Sequence, residues 1–149
     1  MVWKPNVTVA SVLERAGRFL LVEEETEDGV CFNQPAGHLE CRESLLAAVI
    51  RETLEETGCT LCPQYLVGVY HYRNEARDLT YLRFAFGGEI TACDPQRPLD
   101  HGIIAARWLT LDEVRACAGQ HRSPLVLRCI EDWLAGRRYP LALITHCNP

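Results

Sequence analysis

At 149 residues, with 48% hydrophobic and 23% charged positions, the chain has the length and make-up of one globular domain. Fifteen Lys and Arg against 20 Asp and Glu leave a net charge of −5, which argues against a nucleic-acid partner. Its aliphatic content excludes disorder over most of its length, and no apolar run approaches the ~18–20 residues of a membrane span.

In chain order, residues 1–6 lack an apolar stretch followed by a small-residue cleavage site, so no signal peptide is expected and a cytoplasmic protein is. Residues 7–13 are β-branched and apolar, and residues 19–24 follow after the turn at 15–18, so the two predict a hairpin. Residues 25–29 are a polar turn, and 33–40 a Pro/Gly loop. Residues 45–56 carry the strongest helical signal, with Gly58 where a left-handed C-terminal glycine belongs. Strands are predicted over 65–72 and 80–89, around a polar tip at 73–78, and a short one over 105–109. Thr110, with Glu113 three residues on, has the pattern of a helix cap, opening a short helix through Ala118. Residues 124–136 read as a last helix. No repeat, linker or low-complexity tract interrupts the chain, so residues 1–149 are expected to form a single domain of the α/β class.

Eight cysteines would suggest a disulfide framework in a secreted chain, but without a leader, reduced thiols are expected. Only Cys59 and Cys62 have redox-like or metal-like spacing, and no second pair or HxxxH completes a zinc site. The thiols are therefore read as small hydrophobes, and reductant is expected to leave stability nearly unchanged. Trp3, Trp108 and Trp133 are read as core residues.

The chemistry concentrates on the helix around Arg51. At ~100° per residue, Glu52, Glu55 and Glu56 fall near 0°, 300° and 40°, within one sector of about 100°. Leu46, Val49, Ile50, Thr53 and Leu54 occupy the opposite side. Like charges at these spacings repel, and near a helix C-terminus the dipole disfavours them further. A divalent cation converts that repulsion into ligation, and oxygen-only donors suit Mg²⁺, with Mn²⁺ as an alternative.

Gly37, five residues, Glu43, seven residues, then Arg51-Glu52-Thr53-Leu54-Glu55-Glu56-Thr57-Gly58-Cys59 resembles the Nudix box, G-x5-E-x7-R-E-U-x-E-E-x-G-U with U bulky and apolar. Every charged and glycine position matches. Thr53 and Cys59 depart at U positions and are read as packing variants, the Thr53 hydroxyl bonding a carbonyl one turn back. The resemblance implies a Nudix hydrolase: an α/β/α sandwich with a mixed sheet, hydrolysing phosphoanhydrides. Carried over by position, Glu52 and Glu56 would be the main metal ligands, Glu55 a ligand or base, and the Gly37 carbonyl a further ligand. Arg51 would hold and orient Glu43. Outside the box, Glu89, Asp100 and His101 are candidates for another ligand or base.

Shorter segments, among them residues 5–10, 32–40, 82–84, 122–126 and 138–141, resemble the NudJ-type phosphatases of bacteria within that family. That resemblance implies action on nucleoside tri- and diphosphates and on hydroxymethylpyrimidine diphosphate. The alternatives are an oxidised nucleotide, ADP-ribose or a sugar nucleotide as substrate, or a non-catalytic nucleotide-binding module. A small phosphorylated heterocycle is thus the expected partner, with no nucleic acid or membrane, on a monomer or weak homodimer. For its recognition, Phe32 could stack on a ring while Asn33 and Gln34 read its polar edge. Tyr81 and Arg83 alternate with Leu82 and can share one strand face, and Arg83 or Arg122 could pair with phosphate.

Overall fold

Three pairs of adjacent buried residues explain the architecture: Leu20 with Leu21, Leu66 with Val67, and Ala85 with Phe86. Neighbours along a strand point to opposite faces. Leu20, Leu66 and Phe86 join Val9, Leu13, Ala48, Val49 and Leu61 in one core. Leu21, Val67 and Ala85 join Val12, Phe19, Val114, Val126, Cys129 and Ile130 in another. Strands buried on both faces need cover on both, and helices supply it.

The computed structural model describes residues 1–147. The strands are β1 (Asn6–Ser11), β2 (Glu14–Arg15), β3 (Arg18–Thr26), β4 (Gly29–Asn33), β5 (Ala36–His38), β6 (Cys59–Asn74), β7 (Leu79–Cys93) and β8 (Ile103–Thr110). The α-helices are α1 (Leu45–Thr57), α2 (Leu111–Ala116) and α3 (Leu125–Leu134). One sheet has the order β5-β1-β7-β6, mixed because β1 and β7 run parallel while its other pairs are antiparallel. In the second, β3 pairs with β2 and β4 and also with β8, all antiparallel. Helix α1 supplies Ala48 and Val49 to the first core, and α2 and α3 supply Val114, Val126, Cys129 and Ile130 to the second. This is the expected α/β/α arrangement. No helix of the described residues is long and apolar enough to cross a membrane.

Local signals set the helix ends. The Ser44 hydroxyl accepts from the Ala47 amide, and Gly58 takes φ 74°, its amide donating to the Leu54 carbonyl. The Thr110 hydroxyl accepts from Glu113 N, as its cap pattern predicts. Thr53 donates to the Val49 carbonyl at 2.7 Å and lies 3.0 Å from the Ser11 hydroxyl, so a polar residue is satisfied at zero exposure.

Several expectations are corrected. The loop expected over 33–40 contains β5, paired to β1, and β4 begins within the expected turn at Gly29. Strands β6 and β7 run well past their predicted limits, with register shifts between Pro63 and Tyr65 and between Leu66 and Gly68. Trp3 is 68% exposed, not a core residue.

The cysteine reading is also corrected. Cys59 is disulfide-bonded to Cys93, because β6 and β7 set the two directly opposite with Cα atoms 4.1 Å apart. Cys62, three residues along an extended strand from Cys59, faces outward and is free. Closing a span of 34 residues contributes about 3–4 kcal/mol through the unfolded chain. Reductant or Cys93→Ser is therefore expected to lower the thermal midpoint by several degrees. A midpoint indifferent to both would return the pair to free thiols.

Candidate active site

The stripe that α1 buries contains Ala48, Val49 and Thr53, but also Glu52 and Glu56, which are only 8% and 7% exposed. The helix does not present its carboxylates on an open face, as its wheel suggests. It presses two of them against β5.

Arg51 organises this cluster. Its Nε and Nη2 donate to the two carboxylate oxygens of Glu43 at 2.6 and 2.9 Å. Nη1 donates to Glu52 Oε1 at 2.7 Å and Glu55 Oε2 at 3.2 Å, and Nη2 also reaches the His38 carbonyl at 3.1 Å. Such a charge-assisted fork holds Glu43 well below the usual carboxylate range. Glu52 is shifted the other way, since burial outweighs its bond to Arg51. Glu56 has no cationic partner. Its Oε1 accepts from the Ala36 amide at 2.8 Å, and burial pushes its pKa up to about 8, with Glu52, Glu24 and Asp100 adding negative field.

Among the described residues, no three His, Cys, Asp or Glu side chains are drawn together as a formed metal site. The donor chemistry nonetheless fits a hard divalent cation. One oxygen each of Glu52, Glu55 and Glu56 has a hydrogen bond and the other does not. Among the described residues no buried side-chain oxygen lacks a partner, so the unbonded oxygens reach solvent. Gly37 lies so close to Glu52 that a Cβ there would overlap the carboxylate. Of the other acidic candidates, Asp100 anchors to the helix end, its amide donating to the Glu55 carbonyl at 2.9 Å. Glu89 lies apart, in a shallow groove with Leu13, Glu14 and Arg15.

Beside the cluster opens a cavity of about 530 Å³. Glu24, Ala36 and Gly37 line it, as do Asp28, Asn74 and Arg77 at the hairpin tips. Of the residues expected to meet substrate, Asn33, Tyr81, Arg83 and Arg122 line it. Tyr81 and Arg83 do share a face, and Tyr72 stacks on Tyr81 at 6.4 Å between ring centroids. Arg122 donates to Glu24 at 3.0 Å. Two expected residues lie elsewhere. Phe32 packs against the α3-side core, and Gln34, 1% exposed, sits between Arg83 and the Val126 carbonyl. Glu24, Tyr72 and His121 are lining residues that escaped the sequence reading. Only the register of β3 with β4 and of β6 with β7 brings Glu24 and Tyr72 here, and no local motif signals it.

A mixed β layer covered by helices on both faces, with a glutamate-rich helix pressed on the edge strand that lines a polar cavity, is a site suited to phosphoanhydride hydrolysis. Residues 2–129 match the NUDIX domain family, and the chain belongs to it. Phosphatase NudJ of Escherichia coli K12 is 42% identical over 147 residues, covering 98% of this chain and 94% of that protein, and the Shigella flexneri NudJ matches equally. A NUDIX hydrolase from Nitrosomonas europaea superposes with a TM-score of 0.94 at 50% identity, over 97% of this chain and 98% of that one. A MutT NUDIX hydrolase from Burkholderia pseudomallei shares the fold, with a TM-score of 0.74 at 22% identity over 87% and 98%. This chain is thus a Nudix hydrolase and a homologue of the NudJ phosphatases, from a family that uses divalent metals.

Proposed function

We propose that this protein is a Mg²⁺-dependent, NudJ-like pyrophosphohydrolase, a single Nudix unit acting on nucleoside tri- and diphosphates and on hydroxymethylpyrimidine diphosphate. The observation that carries the reading is the junction at Ala36–Gly37, where the buried glutamates of α1 meet a cavity that also holds an arginine and stacked tyrosines. Glu52, Glu55 and Glu56 would hold the metal ion, Mg²⁺ or Mn²⁺, beside the Gly37 carbonyl. Such an ion neutralises phosphate oxygens and activates water when bound. Arg51 keeps Glu43 ionised and fixes Glu52 and Glu55 from behind, so these carboxylates need no reorganisation when substrate arrives. Tyr81 and Tyr72 offer aromatic surface to a heterocycle. The likeness to NudJ over nearly the whole chain supports the substrate class.

The test is phosphate release with Mg²⁺, Mn²⁺ or chelator across hydroxymethylpyrimidine diphosphate, common nucleoside di- and triphosphates, ADP-ribose and an oxidised dGTP. Chelator-sensitive release led by the pyrimidine diphosphate and simple nucleotides is expected. Release led by ADP-ribose or the oxidised nucleotide would overturn the substrate assignment and leave the family standing.

A further inference from the structure

Arg83 is 6% exposed and has no carboxylate partner among the described residues. Arginine is rarely buried so deeply unpaired, because an uncompensated buried charge is strongly unfavourable. The other two arginines of the cavity are paired, Arg77 with Asp28 and Arg122 with Glu24. Arg83 instead has neutral acceptors. Nη1 donates to Gln34 Oε1 at 2.9 Å and to Cys129 Sγ at 3.9 Å, and Nη2 donates to Asn33 Oδ1 at 3.0 Å. Gln34 is itself fixed, its Nε2 donating to the Val126 carbonyl at 2.7 Å. These bonds use three of the five guanidinium N–H groups and leave Nε–H and one on Nη2. Among the described residues no buried side-chain nitrogen lacks a partner, so the unbonded Nε keeps some access to solvent, and Arg83 lines the cavity.

The register sets what lies on either side. Arg83 stands opposite Thr8, which pairs with His38. Tyr81 is two residues back on the same face, about 7 Å away, stacked with Tyr72. The next pair, Phe84 with Val9, turns to the opposite, α1-facing side, where Gly37 of the edge strand follows and Glu52 is pressed against it. Gly37 and Ala36 also line the cavity, so the aromatic pair and the lone cation stand on its wall and the carboxylate cluster lies behind its β5 edge.

We propose that Arg83 is an anion seat for the phosphate next to the heterocycle, and that Gln34 is its positioning residue rather than a reader of the ring. This rests on the hydrolase reading above and deepens it. With the inner phosphate on Arg83 and the ring over Tyr81, the outer phosphate extends toward the β5 edge and its carboxylates. Neutral acceptors orient the guanidinium without spending its charge, which leaves that charge for a ligand.

The test uses inorganic phosphate as probe on the full chain in chelator, where no metal can contribute. A saturable rise in the wild-type thermal midpoint is expected. Arg83→Gln should abolish it and raise KM for a cleaved nucleotide by about 10- to 100-fold, with kcat within a few-fold. Gln34→Glu is the decisive companion. It sets a carboxylate against Arg83, and the new ion pair offsets the lost bond to the Val126 carbonyl, so the fold should hold at some cost in stability while phosphate binding and KM fail together. It decides the matter if Arg83→Gln does not fold. A phosphate response that survives both substitutions, or none in the wild type, overturns the seat. Arg83-dependent phosphate binding without turnover of any substrate would instead sink the hydrolase reading and leave the seat standing.

Discussion

Glu56→Gln is expected to lower turnover on the order of a hundredfold or more while the protein stays folded. Glutamine keeps the size of the side chain and can keep its carbonyl on the Ala36 amide. It removes the charge that a cation needs and that burial already disfavours. A second readout follows from the direction of that shift. The folded-state pKa of Glu56 lies near 8, above its value in the unfolded chain, so the native state binds the extra proton between the two. Stability from this group is therefore full below about pH 4.5 and is lost as pH rises toward 8. In chelator, wild type should weaken relative to Glu56→Gln across that window, by on the order of a few kcal/mol. Adding Mg²⁺ should restore the wild type and not the variant. Wild-type turnover in Glu56→Gln, or a Mg²⁺ response that survives the substitution, would remove Glu56 from the ion site, while a flat stability difference across that range would remove the raised pKa.

Gly37→Ala is expected to lower kcat nearly as much, through a single methyl group. The added Cβ would occupy the volume now held by the Glu52 carboxylate. Either the carboxylate swings away from Arg51 or β5 shifts along β1, and both disturb the same junction. Because β5 is a short edge strand, the fold should tolerate the shift, with a stability loss of about 1–3 kcal/mol. Activity within threefold of wild type would mean that Glu52 does not need its present position.

The sequence made the glutamate helix plain because its signals are local. The spacing of Gly37, Glu43 and Arg51 to Gly58 lies within one loop and one helix, and the Arg51–Glu43 fork bears the resemblance out. The cap at Thr110 and the Thr53 back-bond are local as well. What failed is what depends on partners far along the chain. Strand β5 has three residues and exists through its ladder to β1, so no periodicity could reveal it. Glu52 and Glu56 are buried by that same strand and by the stretch carrying Asp100, not by anything in their helix. Asn33 and Gln34 suggest ring recognition because amides read polar edges. Their guanidinium partner is supplied by β7, from the other sheet. Cys59 finds Cys93 by strand register, where the sequence reading left the thiols reduced.

The parallel pairing of β1 with β7 has a consequence for the order of assembly. Asn6 must meet Tyr81, and Thr8 must meet Arg83, before the centre of the first sheet exists. A ribosome delivers β1 early, and it waits through α1 and β6 for its neighbour. Contacts so distant in sequence form late and slowly, since the loop entropy is lost before the contacts repay it. The glutamate helix needs only bonds within its own segment, but the cavity beside it needs this distant pairing. The nascent chain thus carries its hydrolytic motif well before it owns a place to hold a substrate.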